Sequence, residues 1–473
     1  MDPTTQTIHT IDQRVILGIV LRAMRWSWGW NDQSKTWMNW HNTQVVTPAM
    51  YDFPSSTEEI VQIMADVQKR GQKVKVVGMG CSPNTMAISP SRMIFVDKLN
   101  KILHVDPKQG TVRVQAGVTF QQLNEELPKH HVGLSVLTSI SEQSVGGALA
   151  CAIHGTGGNF GSVSTYVKSL QLITLSGDIL ECSENENPEL FKACLCHLGG
   201  FGMISEITLK TEPEFKLQSH QKENTLVNVL HTLNEKIESN EHWRFWYFPH
   251  TQMCVEWKAN RVPLETTNRC EGDWVASQLK IFNYALEASL LIGNVFPRFN
   301  KLVNKMCRFI AFRKESIVVD RSDKVFNFDC LFRQYVNEWS IPREHCKTAL
   351  LLIKQMIENR PEWGIHFPIE VRFSKEDDIW LSPGYGRQNC WIGIIMYRPW
   401  NNEPPSYWKE YFKEFEEIMK SLDGRPHWAK EHSLNYADFK TMYPKLDEWI
   451  ALRNRMDPKN LFVNSYLEKI ITS

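Results

Sequence analysis

Three glycine-rich stretches contain the residue types best suited to holding a large ligand. In the first, Gly78-x-Gly80 follows a strand-like run, but position 83 is proline, so the third glycine of a dinucleotide-binding turn is missing. The loop instead offers successive backbone N–H groups as an anion-binding nest, with Ser82 and Asn84 adding side-chain donors. Taken alone, an ordinary turn between strands is the simpler interpretation.

The other two glycine-rich stretches favour ligand binding over an ordinary turn. Glycines are dense in residues 141–161, around His154, and Gly200 and Gly202 form a third group. Such glycine density means tight turns or backbone that lies close to something bulky. Three such loops in one domain predict a large, flat, phosphate-bearing ligand.

Three charged residues in the second half have the chemistry of an active site. Glu370 and Arg372 lie two residues apart in a strand-like run, so both side chains would point to one face. A carboxylate and a guanidinium placed together can accept a proton and stabilise developing negative charge. Lys430 is the third charged residue. From residue types alone, the simpler interpretation is that Glu370 and Arg372 form a surface ion pair and that Lys430 is solvated.

Periodicity predicts the elements that position these residues. Ser56 to Glu59 has the pattern of a capping box and predicts a helix, and Thr119 begins a second one. Strands are predicted over residues 73–77, 93–96, 111–115, 169–174 and 204–209. The order of these predicted elements indicates an α+β fold, because helices and strands do not alternate regularly as in βαβ units.

A second α+β unit is predicted after a polar boundary near residue 215. Its strands are predicted over 325–335, 365–373 and 390–397, and its helices over 344–358 and 407–422, with a helical insert at about 275–313. The chain is therefore divided into an N-terminal segment (1–44), a first domain (45–215), a second domain (216–425) and a C-terminal segment (426–473).

Charge and cysteine content exclude several classes of function. Lys plus Arg (53) equals Asp plus Glu (53), so no overall field attracts nucleic acid, and a small, weakly charged substrate is favoured. The 11 cysteines are odd in number and scattered. A zinc site and a disulfide framework are not expected, and a reducing compartment is favoured.

Apolar residues are densest in the segment 281–312. Charged residues interrupt it, so no run of about 20 apolar residues could cross a bilayer. Apolar residues recur at helical spacing and basic residues occupy other faces: Phe299, Leu302, Val303, Met306, Phe309 and Ile310, with Arg298, Lys301, Lys305 and Arg308. A helix on a membrane surface and a core-facing helix are equally compatible with this pattern.

Several motifs resemble the vanillyl-alcohol-oxidase family of flavoproteins, and within it the sugar-1,4-lactone oxidases. In the first half the motifs are 54–59, 78–84, Gly146-Gly147, 154–157 and 202–204. In the second half they are 244–250, 341–344, 370–372, 397–399, 425–430 and 464–469. The resemblance covers nearly all of residues 25–470.

The resemblance implies an α+β fold with a two-part FAD-binding domain in residues 45–215. Residues 216–425 would form a substrate or cap domain with the helical insert, and the C-terminal segment would return to the flavin. The implied reaction is oxidation of an aldono-1,4-lactone at C2, with L-gulono-1,4-lactone favoured, by hydride transfer to flavin N5. It would give an ascorbate-type product and reduce O2 to H2O2.

Roles for individual residues are also implied by the resemblance. Glu370 would form a hydrogen bond with the C2 hydroxyl or accept its proton, and Arg372 would stabilise negative charge on the substrate oxygen. Lys430 would stabilise the reduced flavin or the lactone oxygen. No metal is expected. The residues expected to bind FAD are Gly78, Met79, Gly80, Cys81, Ser82, Pro83, Thr138, Ser139, Ser141, Ser144, Gly146, Gly147, His154, Gly155, Thr156, Gly157, Gly202 and Ile204.

Two positions depart from the pattern of the family. Cys81 stands where many relatives have the histidine that bonds covalently to the flavin 8α-methyl group, so 8α-S-cysteinyl FAD and non-covalent FAD both stay open. Thr138 stands where the oxidases usually have glycine and the related plant dehydrogenase has alanine. A larger side chain there would hinder oxygen, so a dehydrogenase that passes electrons to a cytochrome or quinone is the alternative.

Location and partners follow from the same resemblance. The resemblance to microsomal relatives implies a location at the endoplasmic reticulum membrane, with the cytoplasm as the alternative. The expected partners are a sugar lactone, an electron acceptor and a membrane surface. Nucleic acid is not an expected partner. A catalytically silent flavin-binding protein on a membrane surface is a third interpretation. The presence of Glu370, Arg372 and Lys430 disfavours it.

Overall fold

The computed structural model describes residues 29–271, 274–307, 315–327, 333–366 and 368–472. The helices up to residue 213 are α1 (Thr57–Arg70), α2 (Phe120–Glu126), α3 (Val145–Ala150) and α4 (Pro188–Cys194). The strands of this part are β1 (Gly29–Asn31), β2 (Thr36–Met38), β3 (Val45–Val46), β4 (Met50–Asp52), β5 (Val74–Val77), β6 (Arg92–Phe95), β7 (Ile102–Asp106), β8 (Thr111–Gln115), β9 (Val132–Gly133), β10 (Val167–Ile173), β11 (Ile179–Ser183), β12 (Met203–Lys210) and β13 (Glu212–Pro213).

The rest of the chain continues both series. Its strands are β14 (Lys216–Thr225), β15 (His242–Tyr247), β16 (Met253–Val262), β17 (Arg269–Glu271), β18 (Ser316–Arg321), β19 (Gln334–Pro342), β20 (Ile369–Ser374), β21 (Asn389–Tyr397) and β22 (Arg425–Pro426). Its helices are α5 (Leu226–His231), α6 (Leu233–Ser239), α7 (Trp274–Val295), α8 (Asn300–Cys307), α9 (Ser322–Phe326), α10 (Cys346–Glu358), α11 (Trp408–Ser421), α12 (Tyr436–Met442), α13 (Leu446–Met456) and α14 (Ser465–Ile471).

Small sheets occupy the first part of the chain and one large sheet occupies the second. The first part has a parallel sheet in the order β4-β6-β5 and an antiparallel sheet in the order β11-β10-β12-β8-β7. The second has a nine-stranded antiparallel sheet in the order β17-β18-β14-β16-β15-β20-β21-β19-β22. The predicted α+β class is confirmed, whereas the domain boundaries near residues 44, 215 and 425 stay predictions.

Local chemistry explains why the predicted helices begin where they do. The Ser56 hydroxyl accepts a hydrogen bond from Glu59 N at 3.3 Å and caps α1, and Ile60, Met64 and Val67 on one face of this helix are buried. Thr119 forms a capping box with Gln122 at the start of α2. Both predicted helices are confirmed. The strands predicted over 111–115 and 390–397 are also confirmed, and their observed ends differ from the predicted ones by at most one residue.

The strand predicted over residues 325–335 is wrong. Val325 and Phe326 end the short helix α9, and β19 begins only at Gln334, while residues 328–332 lie outside the described part of the chain. Both apolar side chains of the helix are buried. A short apolar run has no period that separates a buried helical turn from a buried strand, so its sequence pattern was ambiguous.

The helical insert is confirmed in α7 and α8, and residues 308–313 of the predicted insert lie outside the described residues. The apolar stripe of α8 is split between two environments: Val303 is buried against Leu290 and Tyr397, whereas Leu302 and Met306 are exposed. Among the described residues, none of the helices is long and apolar enough to cross a membrane.

A buried ion pair ties the C-terminal segment to the first part of the chain. Arg453 Nη2 lies 2.5 Å from Asp457 Oδ2, and neither side chain is exposed. The Asp457 carboxylate also accepts hydrogen bonds from Leu461 N and Phe462 N, both at 2.8 Å. The turn shaped in this way presents Leu461 O to Val74 N at 2.8 Å, which joins the segment to β5.

Replacing Asp457 by alanine is expected to lower the free energy of unfolding by about 3–5 kcal/mol, because it leaves the Arg453 charge buried without its partner. Urea titration followed by tryptophan fluorescence measures the change. The control is Glu448→Ala, which breaks the exposed Lys445–Glu448 pair and should cost less than about 1 kcal/mol. Equal effects of the two substitutions would contradict the role given to the buried pair.

Candidate functional site

A cavity of about 780 Å³ lies between one face of the nine-stranded sheet and the glycine-rich loops. This volume is typical of a site for a cofactor or a small ligand. The structure places most of the predicted site residues on its wall: Gly78, Met79, Gly80, Cys81, Ser82, Thr138, Ser139, Ser144, Gly146, Gly147, His154, Gly202, Ile204, Glu370, Arg372 and Lys430.

The remaining predicted residues, Pro83, Ser141, Gly155, Thr156 and Gly157, are outside the wall of the cavity. Two of them join the second glycine-rich loop to the large sheet. Thr156 Oγ1 donates to the carbonyl of Trp243 at 2.6 Å, and Gly157 N donates to the carbonyl of Phe373 at 2.8 Å. These residues therefore position the loop against β15 and β20.

The first two glycine-rich loops come close together because they lack side chains. A Cβ atom at Gly78 would lie 2.6 Å from Ser144 Oγ, and one at Gly147 would lie 3.0 Å from the same oxygen. The Ser144 hydroxyl is occupied as the cap of α3, where it accepts a hydrogen bond from Gly147 N at 3.4 Å. Side chains at these glycines would push the two loops apart.

The loop that carries Cys81 is held by the N-terminal segment. Gly80 has a φ of +70°, and a Cβ there would meet the Trp37 ring at 3.0 Å. Thr43 Oγ1 donates to the carbonyl of Pro83 at 2.6 Å. Cys81 itself is half-buried, and its thiol lies 3.9 Å from the carbonyl of Met79.

Strand register brings four charged residues to the cavity face of the sheet. Arg372 of β20 pairs with Arg244 of β15. In the next row, Glu370 of β20, Gly393 of β21 and Glu338 of β19 are direct neighbours. Paired residues, and residues two apart on a strand, share a face, and all five residues line the cavity.

The four charges alternate in sign along this face. Arg372 Nη2 donates to Glu338 Oε1 at 2.6 Å, and Arg372 Nε lies 3.5 Å from Glu370 Oε2. Arg244 Nη1 lies 3.7 Å from Glu370 Oε1, and its guanidinium lies 4.5 Å from the ring centre of Trp257. Opposite charges thus offset the cost of removing each group from water.

Burial and neighbouring charges shift the pKa values of these groups. Burial lowers the pKa of Arg244 to about 10, although Glu370 opposes the shift. Burial also acts to lower the pKa of Arg372, but Glu338 and Glu370 outweigh it and raise that pKa. Both guanidinium groups therefore stay charged at neutral pH.

Two histidines lie beside Glu338. The His154 ring stacks on Trp391 with centroids 3.6 Å apart, and His154 Nε2 lies 3.3 Å from Glu338 Oε1. Burial is the main cause that lowers the pKa values of His154 and His427, so both rings are neutral at pH 7. Their nitrogens and the Glu338 carboxylate lie within 4.8 Å of one another, but Arg372 already donates to that carboxylate.

Lys430 reaches the cavity from the C-terminal segment. Asn84 Nδ2 donates to the carbonyls of Lys430, at 3.0 Å, and Trp428, at 2.7 Å. Tyr466 OH donates to the same Trp428 carbonyl at 2.7 Å. The first glycine-rich loop therefore positions the backbone that carries the lysine.

Sequence reasoning missed Glu338, Arg244, Gly393 and His427 as residues of the site. Glu338 lies in the middle of β19, beyond the predicted end of that strand, and it faces the cavity beside its neighbour Gly393 of β21. The alternation of Gln334, Val336 and Glu338 was the available signal, since all three line the cavity.

Comparison with known proteins assigns the two parts of the chain. The family described as FAD binding domain matches residues 48–183, and the family described as D-arabinono-1,4-lactone oxidase matches residues 207–470. The chain belongs to the D-arabinono-1,4-lactone oxidase family. The predicted resemblance to the sugar-lactone oxidases is therefore confirmed.

Similar proteins match this chain over nearly their whole length. L-gulonolactone oxidase of Scyliorhinus torazame is 38% identical, across 91% of this chain and 97% of the relative. L-gulono-1,4-lactone dehydrogenase of Mycobacterium tuberculosis is 34% identical, across 93% and 99%. A solved structure titled solvent-stable cholesterol oxidase has the same fold, with a TM-score of 0.78 at 18% identity across 92% of this chain and 97% of the other.

The residues present fit FAD. Glycines that leave no room for side chains form one wall of the cavity, and the opposite wall is a sheet face with paired charges. These are the features that a large, flat, phosphate-bearing cofactor needs on one side and a polar substrate on the other. The protein is an FAD-dependent oxidoreductase, as predicted.

Proposed function

We propose that this enzyme oxidises an aldono-1,4-lactone, with L-gulono-1,4-lactone favoured, at C2 to an ascorbate-type product and reduces O2 to H2O2. The observation that carries the proposal is the pair Glu370 and Arg372, 3.5 Å apart on the cavity face opposite the glycine-rich loops. Bound FAD would supply the acceptor for the hydride. The names of the family and of the relatives support the class of substrate.

The chain's own residues would bind the lactone and handle its proton. Glu370 lines the cavity, and its carboxylate would accept the proton of a C2 hydroxyl. Its Oε1 atom is buried, makes no hydrogen bond to the described residues and lies 3.7 Å from Arg244 Nη1. Arg372 would stabilise the negative charge that develops on the C2 oxygen. Lys430, which also lines the cavity, would add a positive charge near the lactone oxygen or the reduced cofactor.

Glu370→Gln is expected to lower kcat by at least about 10²-fold, because it removes the proton acceptor. Arg372→Ala should also lower kcat by about 10²-fold or more, because it removes the charge that stabilises the transition state. Steady-state peroxide formation from L-gulono-1,4-lactone measures both effects, and visible absorbance verifies that FAD is still bound.

The matched control is Glu256→Gln, which neutralises a buried carboxylate of β16 that is outside the wall of the cavity. It should retain the wild-type kcat. Wild-type rates in both site variants would contradict the proposed roles.

A dehydrogenase that passes electrons to a cytochrome or quinone is the second candidate, and Thr138 is the observation that favours it. This side chain is buried on the cavity wall, and its hydroxyl lies 2.8 Å from the Ile140 carbonyl and 3.0 Å from Gln143 Oε1. Its position suits a residue that restricts oxygen. The relative from Mycobacterium tuberculosis is named a dehydrogenase.

Thr138→Gly should speed reoxidation of the reduced enzyme by O2, because it removes the side chain from the path of oxygen. Stopped-flow absorbance after anaerobic reduction and mixing with aerated buffer measures the rate constant. An unchanged rate constant would contradict the restriction. Wild-type enzyme that stays reduced in air but is oxidised by cytochrome c or a quinone would establish the dehydrogenase.

We also propose that Cys81 bonds covalently to FAD. Its thiol lies on the cavity wall, in the loop where Trp37 and Thr43 hold the backbone. Formation of the bond from Cys81 Sγ would break the thiol S–H bond and one C–H bond of the 8α-methyl group, and the two electrons and two protons released would convert O2 to H2O2. Cysteine is an adequate nucleophile for this step.

Acid precipitation should leave the yellow colour with the denatured wild-type protein and release it from Cys81→Ser, which lacks the nucleophilic sulfur. Mass spectrometry should show one added FAD on the wild-type chain alone. Colour in the supernatant of the wild-type protein would refute the bond.

A membrane surface, that of the endoplasmic reticulum, is the location we propose. Val295, Phe296 and Leu302 of the helical insert are 71%, 65% and 50% exposed, and Arg298 and Lys305 beside them are also exposed. Apolar side chains next to exposed basic ones suit the headgroup region of an anionic membrane. The cytoplasm stays the alternative.

The double variant Phe296→Glu with Leu302→Glu should reduce co-sedimentation with anionic lipid vesicles, because it places two negative charges at the proposed contact. The control is Val227→Glu, at a residue of α5 that is 73% exposed and outside the insert. Equal sedimentation of wild-type protein and the double variant would contradict the contact.

A further inference from the structure

Glu338 is a buried acidic residue that the proposed reaction does not use. Its side chain is 3% exposed on β19, separated from Glu370 only by Gly393 in the same row of the sheet. A Cβ atom at Gly393 would come no closer than 3.7 Å to Glu338. Because residue 393 is glycine, no side chain of β21 stands between the two carboxylates in this row.

Arg372 contacts both carboxylates. From the neighbouring row it reaches Glu338 Oε1 with Nη2 at 2.6 Å, while Nε lies 3.5 Å from Glu370 Oε2. The contact with Glu338 is the shorter of the two and is a charge-assisted hydrogen bond. Glu338 thereby fixes the guanidinium at one end, and the opposite end faces the carboxylate proposed to accept the proton.

Glu338 is surrounded by Arg372 of β20, His154 of the second glycine-rich loop and His427 after β22, which favour its charged form. Glu370 of β20, beyond Gly393, carries the same charge and does not contribute to this effect. Burial acts to raise the pKa of the Glu338 carboxyl, but Arg372 and His154 outweigh it and hold that pKa well below its usual range. Because both histidines are neutral, the charge of Glu338 is balanced by Arg372.

We infer that Glu338 is a positioning residue of this active site: it holds Arg372 in place and cancels its charge, so that the cavity face carries two arginines against two carboxylates. Without Glu338, one positive charge would be uncompensated beside the cofactor. That charge would favour reduction of FAD, and the guanidinium would lose its fixed position.

The reduction potential of the bound flavin tests the charge. In Glu338→Gln the two-electron reduction equilibrium should shift about tenfold towards the reduced form, or ~30 mV, as expected for one charge lost from a partly buried site. Equilibration with a reference dye under anaerobic reduction measures the potential. Glu256→Gln, which removes a buried charge on the other face of the sheet, should leave it unchanged. A wild-type potential in Glu338→Gln would overturn the inference.

Glu338→Asp tests the position separately, since it keeps the charge but shortens the side chain. Its flavin potential should equal that of the wild type, whereas kcat should fall about tenfold to a hundredfold as Arg372 moves. A wild-type kcat in Glu338→Asp would overturn the positioning role. This test also holds if Glu338→Gln does not retain FAD.

The kcat test of Glu338 rests on the proposed function, because it requires oxidation of the lactone. The potential is measured without any lactone, so failure of lactone oxidation and failure of the charge balance give different results.

Discussion

Strand register is the constraint on which the rest of the site depends. β20 lies between β15 and β21, and this pairing sets Arg372 opposite Arg244 and Glu370 opposite Gly393. A slip of one residue would turn Glu370 and Arg372 to the other face of the sheet, where the neighbouring Val371 is fully buried in the core. Unpaired charges in that core would cost several kcal/mol each, so the fold strongly disfavours the alternative.

The cavity has its second wall only because distant parts of the chain meet over this face. The first glycine-rich loop holds the backbone of Lys430 through Asn84, and the second loop reaches the large sheet through Thr156 and Gly157. The C-terminal segment returns to β5 through the turn shaped by Asp457. The same contacts that build the fold therefore set the separation between the glycine-rich loops and the charged sheet face, and this separation sets the space in which a cofactor and a substrate can lie in contact.

Much of the site was predictable wherever the signal was local. Glycine density indicated the loops that line the cavity, and the two-residue spacing of Glu370 and Arg372 indicated a shared face, because strand alternation depends on neighbours in sequence. Glu338 was not predictable in this way, since its partner Arg372 is 34 residues away in the chain and the strands of the two residues are separated by β21. Such partners are set by register across strands, which a single sequence does not encode locally.

The central claim is that the charged face and the glycine-rich loops together make a flavin site that oxidises a sugar lactone. Anaerobic addition of L-gulono-1,4-lactone to the purified yellow protein tests it most directly. The account predicts that the visible flavin absorbance is lost within the time of turnover and returns with an electron acceptor, while Glu370→Gln stays yellow. Wild-type protein that keeps its flavin absorbance in the presence of gulono-, galactono- and arabinono-lactones would contradict the account.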